Sequence, residues 1–316
     1  MTAWPSARAD AQRNRDTIFV EDATVTDVAT FPGDQYVLRL LAPETARRAV
    51  AGSFVHIRCD AAIPMRRPLS IMRADPGGGW IEILFKIVGS GLRSLGHRQP
   101  GDVMSVLGPI GNGFQPSRER PHSLLIGGGV GIPPMVFLAE TLWRDDYAWQ
   151  PLVLMGSEIP FPFAAVTSRI RTGWLDEAVI SAMPLLEEWR IPSRLASSAA
   201  FAGTFRGHVT SLARQWLAAQ SVEELRLCEV FACGPAPMLA ATAALAQEFG
   251  LPCQVALEEY MACAVGGCAG CTVLVQTDDG PAMKRVCVDG PVFDAASVYP
   301  PPLLPDARCR SGASRE

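Results

Sequence analysis

Four cysteines near the end of the 316-residue chain constrain this sequence more than any other feature. Cys263, Cys268, Cys271 and Cys287 follow the spacing Cys-x4-Cys-x2-Cys-x15-Cys, which is the plant-type pattern of 2Fe-2S ligands. Glycines at 266, 267 and 270 let the backbone turn its N–H groups toward the sulfur atoms. The spacing therefore predicts a 2Fe-2S cluster. A structural zinc site, which more often uses paired CxxC motifs, and buried cysteines without metal are the alternatives.

The charge balance excludes several classes of function. Lys and Arg number 28 and Asp and Glu 32, so the net charge is −4. This is not the basic surface that nucleic acids or anionic lipids require. The most apolar stretch, residues 123–139, is interrupted by glycines and prolines and is shorter than the ~20 residues of a membrane-spanning helix. We therefore expect neither nucleic-acid binding nor membrane insertion.

The first residues of the chain and its cysteine content indicate the cellular compartment of the protein. Residues 1–16 lack the apolar core of a secretory signal and are predicted to be a disordered tail. The nine cysteines are an odd number without the regular spacing of a disulfide framework, and this favours a reducing compartment. We expect a cytoplasmic protein.

The pattern of short apolar runs changes twice along the chain, which predicts three domains. Residues 17–118 contain short β-branched and aromatic runs between turns, and they predict an antiparallel β-barrel. Residues 119–250 alternate strands with helical stretches, which is typical of a parallel α/β domain. Residues 251–316 are predicted to form a small C-terminal 2Fe-2S domain and a tail.

Two turns in the α/β segment are candidate ligand sites. The first, GGGVGIPP at 127–134, follows a strand and opens a helix, an arrangement that suits a pyrophosphate. Its candidate residues are Gly127, Gly128, Gly129 and Gly131. The second, CGPAPM at 233–238, places Cys233, Gly234 and Pro235 at the carboxyl end of a strand, where α/β sheets bind ligands. Tight packing without a ligand is the alternative for both turns.

The segment RRPLS at 66–70 is a third candidate site, in the barrel. Arg side chains can hold a phosphate through two hydrogen bonds, and the Ser70 hydroxyl can bond to a flat heterocycle. A solvated pair of arginines is the alternative. Further along, LFK at 84–86 ends a strand, and the following GSGL at 89–92 can approach another phosphate.

Taken together and in this order, these motifs resemble the flavin reductases of the ferredoxin-reductase superfamily. The resemblance rests on an RxxS flavin motif, a GGGxGxxP nicotinamide loop and a CGPxPM turn. The cysteine block, which is preceded by EEYMAC and closed by KRVCVDGPVF, is similar to one branch, the electron-transfer subunits of NAD-dependent (class 1B) dihydroorotate dehydrogenase. The resemblance covers residues 18–298.

The resemblance implies roles for particular residues. It assigns the cluster to the four cysteines already named and the nicotinamide to the neighbourhood of Cys233, which is thereby the predicted catalytic residue. The implied FAD contacts are Arg67, Pro68, Leu69, Ser70, Leu84, Phe85, Lys86, Gly91 and Leu92. The Thr-Asp-Asp-Gly-Ser segment of the family corresponds to residues 197–203, which read SSAAFAG and contain no acid.

The function implied by the resemblance is electron transfer between a partner dehydrogenase and NAD(H), through FAD and a 2Fe-2S cluster. The implied partner is the FMN-containing catalytic subunit that converts dihydroorotate to orotate in pyrimidine biosynthesis, in a hetero-oligomer. One alternative is an NAD(P)H reductase that feeds an oxygenase, a hydrogenase or a ferredoxin. Another is a non-catalytic redox sensor, suggested by the missing acids. No general acid, base or nucleophile is predicted.

Overall fold

Six antiparallel strands in the first third of the chain close into a barrel. The structure, a computed structural model, describes residues 18–301, so the expected tail at 1–16 lies outside the described residues. The barrel strands are β1 (Phe19–Phe31), β2 (Gln35–Leu41), β3 (Phe54–Ile57), β4 (Arg67–Asp75), β5 (Trp80–Lys86) and β6 (Val103–Ile110). Their order around the barrel is β1-β2-β5-β4-β3-β6.

The barrel interior follows from side-chain alternation. In β2, Leu38 and Leu40 are fully buried, while Arg39 between them points outward, because successive side chains of a strand face opposite sides. Two short helices join the barrel strands: α1 (Pro43–Arg48) follows β2, and α2 (Gly89–Gly96) follows β5.

A seven-stranded sheet with helices forms the second domain. Its strands are β7 (His122–Gly128), β8 (Gln150–Gly156), β11 (Ser193–Ser197), β12 (Phe205–Arg206), β13 (Cys228–Cys233), β14 (Cys253–Ala256) and β17 (Val292–Asp294). The order is β12-β11-β8-β7-β13-β14-β17, and all pairings are parallel except β14 with β17. Strands β9 (Val166–Thr167) and β10 (Ser181–Ala182) pair separately.

The helices of this domain include the two longest in the described chain. They are α3 (Ile132–Arg144), α4 (Pro184–Glu188), α5 (Val209–Ala218), α6 (Val222–Arg226) and α7 (Ala236–Glu248). A single 3-10 turn at Gly129–Gly131 precedes α3. Within residues 18–301, no helix combines the length and the apolar character needed to cross a membrane.

The end of the sheet differs from the domain boundary expected at residue 250. Strand β14 pairs in parallel with β13, and β17 returns from the cysteine-rich segment to pair with β14. The α/β sheet therefore uses residues on both sides of the cysteines. Strands β14 and β17 contain only four and three residues, which is too short for a clear strand pattern in the sequence.

The cysteine-rich segment forms a small lobe on this sheet. Strands β15 (Thr272–Thr277) and β16 (Gly280–Arg285) make a two-stranded hairpin, and the short helix α8 (Ala295–Val298) lies against β15. The side chains of Cys271, Val275, Val286 and Cys287 are buried in the same apolar cluster as the α/β sheet. The lobe thus shares a core with the domain that carries it.

A buried ion-pair network joins the barrel to α3. Arg73 of β4 donates two hydrogen bonds to Glu140 of α3, at 3.0 and 2.8 Å, and lies 3.7 Å from Glu82 of β5. The Glu140 side chain is 2% exposed. Because a buried carboxylate needs its partners in place, this network fixes how the two domains face each other.

Candidate functional site

One large cleft lies between the barrel, the α/β domain and the cysteine-rich lobe. Its volume is about 1570 Å³, above the ~300–1000 Å³ of a typical small-molecule pocket. The barrel contributes residues 65–70 and 84–86 to the lining, the α/β domain contributes its glycine-rich turns, and the lobe contributes residues 257–262. The cleft therefore brings together the three motifs that are far apart in the sequence.

The structure separates the two adjacent arginines of the barrel motif. Arg66 donates hydrogen bonds to Ser105 O at 2.7 Å, to Ser105 Oγ at 2.8 Å and to His56 O at 3.1 Å. Its guanidinium therefore connects the barrel strands. Arg67 donates only to the neighbouring carbonyls of Met65 and Arg66, so it retains donors for an anion in the cleft.

Arg67 lies against the first turn of α2. A Cβ atom on Gly91 would come within 3.1 to 3.3 Å of the Arg67 guanidinium, so the absence of a side chain at Gly91 lets the two approach. The first N–H groups of a helix have no partners inside it. Together with Arg67 they form a cradle for a negatively charged group, and Leu92 lines the cleft beside it.

The other barrel residues named from the sequence contribute in different ways. Ser70 is half-buried and Lys86 is partly exposed, and both line the cleft. Phe85 is 1% exposed, and its ring stacks on Tyr36 with centroids 5.4 Å apart. The Phe85 side chain therefore belongs to the barrel core. Pro68, Leu69 and Leu84 complete this wall.

Three glycines of the α/β turns serve packing between the two turns. A Cβ on Gly131 would lie 2.3 Å from Cys233 O, and one on Gly128 would lie 2.5 Å from Met238 Sδ. A Cβ on Gly234 would lie 2.6 Å from Met238 Cε. These distances are shorter than Cβ atoms in proteins show. Gly131 faces backbone atoms that cannot move aside, so glycine is required there, whereas Gly128 and Gly234 face the flexible end of the Met238 side chain.

Gly129 differs from these glycines. Its φ is +55°, a left-handed conformation that favours glycine, and a Cβ there would meet nothing within 4 Å. Gly129 lines the cleft at the start of the 3-10 turn. It is therefore the position where the bare backbone faces open space for a ligand. Gly127 lies at the end of β7, where a Cβ would come within 3.1 Å of Ile132 Cα.

Cys233 ends β13 and is 1% exposed, at the floor of the cleft. Burial raises the pKa of its thiol well above the usual value, and the charge of Glu258 raises it further. The thiol is therefore neutral at pH 7. It offers a compact, polarizable contact to a flat ring and is not a nucleophile.

Glu258 is a functional candidate that the sequence analysis missed. Its side chain is exposed to the cleft, two residues beyond β14, and partial loss of hydration between the cleft walls raises the pKa of this carboxyl. Residue Ala256, at the end of β14, lies in register with Cys233. Only the pairing of β13 with β14 brings Glu258 to Cys233, and no local motif marks it.

The four predicted cluster cysteines lie in the lobe as two pairs, and within residues 18–301 no three of them come close enough together to form a metal-binding group. Cys271 Sγ and Cys287 Sγ are 3.4 Å apart, and the Cys263 and Cys268 thiols lie within hydrogen-bonding range of each other. A 2Fe-2S centre has two irons and four thiolate ligands, so the two pairs supply the number and the type of donor atoms that such a centre needs.

The backbone of the cysteine loop is arranged around these sulfur atoms. N–H groups from Val265, Gly267 and Cys268 stabilise the Cys263 thiolate, outweigh the effect of burial and lower its pKa to about 7. Ala264 and Ala269 adopt positive φ angles of 57° and 54°, which cost about 1–2 kcal/mol each. A loop that keeps this strain and points N–H groups at sulfur fits an iron-sulfur cluster.

The architecture defines a class of fold, the ferredoxin-reductase type, here with an added C-terminal cysteine-rich lobe. The structure of an NADH-dependent reduced ferredoxin-NADP oxidoreductase superposes with a TM-score of 0.69 at 24% identity, covering 87% of this chain and 89% of that one. A ferredoxin reductase of carbazole 1,9a-dioxygenase gives a TM-score of 0.56 at 23% identity, with 74% and 67% coverage. The predicted fold class is confirmed.

The relatives in sequence narrow this class to one family. Residues 258–299 match the family model of the iron-sulfur cluster binding domain of dihydroorotate dehydrogenase B. The electron transfer subunit of dihydroorotate dehydrogenase B (NAD(+)) from Bacillus caldolyticus is 35% identical over 253 residues, 78% of this chain and 86% of that protein. The subunit from Desulforamulus reducens is 29% identical over 281 residues, with 88% and 98% coverage. The chain belongs to this family of electron transfer subunits, as the sequence motifs predict.

Proposed function

We propose that this protein carries electrons between a dihydroorotate-oxidising catalytic subunit and NAD, through FAD and a 2Fe-2S cluster. The observation that carries the proposal is that the barrel motif, the glycine turns and the cysteine-rich lobe all line one cleft. The relatives are named as electron transfer subunits of dihydroorotate dehydrogenase B (NAD(+)). The proposed partner is therefore the FMN-containing catalytic subunit, in a hetero-oligomer in the cytoplasm.

The chemistry of the bound groups explains why this chain needs them together. The flavin accepts a hydride and releases single electrons, and the cluster carries one electron at a time, which side chains cannot do. The remaining contributions come from the residues of this chain.

The barrel wall would hold FAD. Arg67 keeps donors free for the phosphates, the first N–H groups of α2 add partial positive charge, and the Ser70 hydroxyl, which lines the cleft, would bond to the flat ring system. Arg66 has a different part in this proposal, since it holds β3, β4 and β6 together and so keeps the Arg67 cradle in shape.

The α/β wall would hold NAD(H). Its pyrophosphate would rest on the open backbone at Gly129, at the start of the turn into α3. The nicotinamide would lie over the neutral Cys233 thiol, and the Glu258 carboxyl would hold a proton or accept a hydrogen bond at its edge. The apolar lining excludes water from the transfer path.

The cysteine-rich lobe would hold the cluster through Cys263, Cys268, Cys271 and Cys287. Cys268 is exposed, whereas Cys271 and Cys287 are buried. Cys263 is partly exposed, so Cys268 is the ligand that a partner protein would approach, and Cys271 and Cys287 face the body of the protein.

The test is anaerobic co-expression of this protein with the catalytic subunit, followed by measurement of dihydroorotate-dependent reduction of NAD. We expect the complex to show activity, flavin bands and an iron-sulfur absorbance. Cys268→Ser should abolish the cluster absorbance and the coupled activity, while NADH still bleaches the flavin. Cys253→Ala, which removes a buried thiol outside the cluster, is the matched control and should keep both.

Two outcomes would contradict the proposal. Recovery of an oxygenase, a hydrogenase or a ferredoxin as the bound partner, together with no dihydroorotate activity, would favour a different reductase. A flavin that neither NADH nor NADPH bleaches would favour a redox sensor.

A further inference from the structure

The α/β wall of the cleft carries very little charge. Among the described residues that line it between Gly128 and Ala241, Glu158 is the single Asp, Glu, Lys or Arg side chain. The barrel wall, in contrast, supplies the cations Arg66, Arg67 and Lys86. The wall proposed to bind the dinucleotide therefore presents a carboxylate and no formal positive charge.

Glu158 lies at a position where its carboxylate can bind a ribose. It lies two residues beyond β8, the strand beside β7 in the sheet. Ligands bind at the carboxyl ends of such strands, and a carboxylate at the end of the strand after the glycine turn is a common partner of the ribose 2′-hydroxyl. Glu158 is exposed to the cleft, so its carboxylate can reach a bound ligand.

A second strand end holds the carboxylate in place. The Ser198 hydroxyl, one residue beyond β11, donates a hydrogen bond to Glu158 Oε2. Residues 197–203 contain no acid, but this hydrogen bond brings a carboxylate from the neighbouring strand to the same sheet edge. The negative charge missing from the segment after β11 is thus present at that site, supplied by Glu158.

The surrounding positive groups do not offset this charge in the cleft. Arg206 lies beside Ser197 in the sheet but does not line the cleft, and the ion pairs of residues 18–301 do not include Glu158. The N-terminus of α5 packs on Gly156 nearby. Its partial positive charge favours any phosphate, so it does not separate the two dinucleotides.

We infer that Glu158 selects NAD(H) over NADP(H) in this protein. Its carboxylate accepts a hydrogen bond from the 2′-hydroxyl of the adenosine ribose and repels the 2′-phosphate, which carries a charge of roughly −1.5 to −2 at pH 7. Ser198 is a positioning residue that orients the carboxylate. The inference rests on the proposed binding of NAD(H) to this wall and names the group that decides between the two dinucleotides.

The test compares NADH and NADPH as reductants of the flavin in the purified, cofactor-loaded protein. We expect the wild type to prefer NADH in kcat/KM, and Glu158→Gln to reduce that preference about tenfold or more. The change should come from a higher KM for NADH and a lower KM for NADPH, at an unchanged maximal rate of flavin reduction. Ser198→Ala should shift the preference in the same direction by less.

Controls separate this inference from loss of structure. Glu177→Gln removes an exposed carboxylate that does not line the cleft, and the preference should stay at the wild-type value. Equal flavin content and an equal visible spectrum in all variants show that the fold is retained.

Two kinds of result would contradict a role of Glu158 in the choice of dinucleotide. An unchanged preference in Glu158→Gln, or a wild type that prefers NADPH, would overturn the inference and leave the electron-transfer function standing. A wild type that neither dinucleotide reduces would overturn the proposed function and the inference with it.

Discussion

Gly131 and Gly129 lie two residues apart, and the structure predicts opposite consequences for an alanine at each. At Gly131 the new Cβ would lie 2.3 Å from Cys233 O, 2.4 Å from Cys233 C and 2.5 Å from Gly234 N. All three are backbone atoms, so no side chain can move aside. Cys233 O must retreat by at least about 0.7 Å to reach the 3.0 Å below which Cβ contacts essentially never occur.

Moving Cys233 O in this way would distort the sheet. Cys233 pairs with Gly127 on one side and Ala256 on the other, so a shift there disturbs both ladders. Overpacking of this kind typically costs about 1–3 kcal/mol, and we expect the upper end for Gly131→Ala. At about 2–4 °C per kcal/mol, the apparent Tm should fall by roughly 5–10 °C.

Gly129→Ala should behave differently. Its Cβ meets nothing within 4 Å, so the cost is the left-handed backbone at φ +55°, about 1–2 kcal/mol. The methyl group would occupy space proposed for the pyrophosphate. We therefore expect a smaller loss of Tm and a KM for NADH raised about tenfold, with flavin content unchanged.

The assay combines thermal unfolding with stopped-flow reduction of the flavin by NADH. A Tm of Gly131→Ala equal to that of the wild type would show that the two turns do not need glycine at this position. An unchanged KM for NADH in Gly129→Ala would show that the open backbone does not face the dinucleotide.

Three other perturbations test separate parts of the structure. Burial, with repulsion from nearby arginines, lowers the pKa of His56 to about 4, so an unfolded chain binds a proton that the folded one does not. Stability should fall by at most about 3 kcal/mol as the pH drops from 6.5 through 4, and His56→Phe, unlike the exposed-site control His97→Gln, should flatten this dependence in denaturant titrations. Glu140→Ala leaves Arg73 buried without its bidentate partner, so we expect the free energy of unfolding to fall by about 3 kcal/mol. If Glu140→Ala costs the same in a protein that already carries Arg73→Met, the two side chains do not stabilise each other. Glu258→Gln removes a carboxyl whose raised pKa makes its ionisation destabilising above pH 4.5. It should raise the Tm at pH 7 but not at pH 4, and slow reduction of the flavin by NADH about tenfold; an unchanged rate would count against Glu258 as a site residue.

The parts of the site that can be predicted from the sequence are those built from residues close together in the chain. The cysteine spacing predicts the cluster because all four ligands lie within 25 residues, where local backbone geometry decides what they can reach. The glycine turns are predicted for the same reason, since each joins one strand to one helix. The family, the fold class and the order of the motifs follow from such local patterns.

Other features depend on contacts between distant segments. RRPLS does not reveal that Arg66 is tied to Ser105 while Arg67 stays free for a ligand. GGGVG does not reveal that Gly131 is required by Cys233, about a hundred residues later. A glycine can serve packing or ligand approach, and only the atoms opposite it decide which.

The functional groups of this protein can be identified from the amino-acid sequence: four thiols at cluster spacing, two glycine turns and an RxxS segment. Which of these groups lie next to one another depends on the tertiary structure. It extended the α/β sheet through β14 and β17, brought Glu258 to Cys233, and set Glu158 against Ser198 at one sheet edge. Strand pairing brings residues together whatever their separation along the chain, whereas a sequence motif contains only residues that are close in sequence.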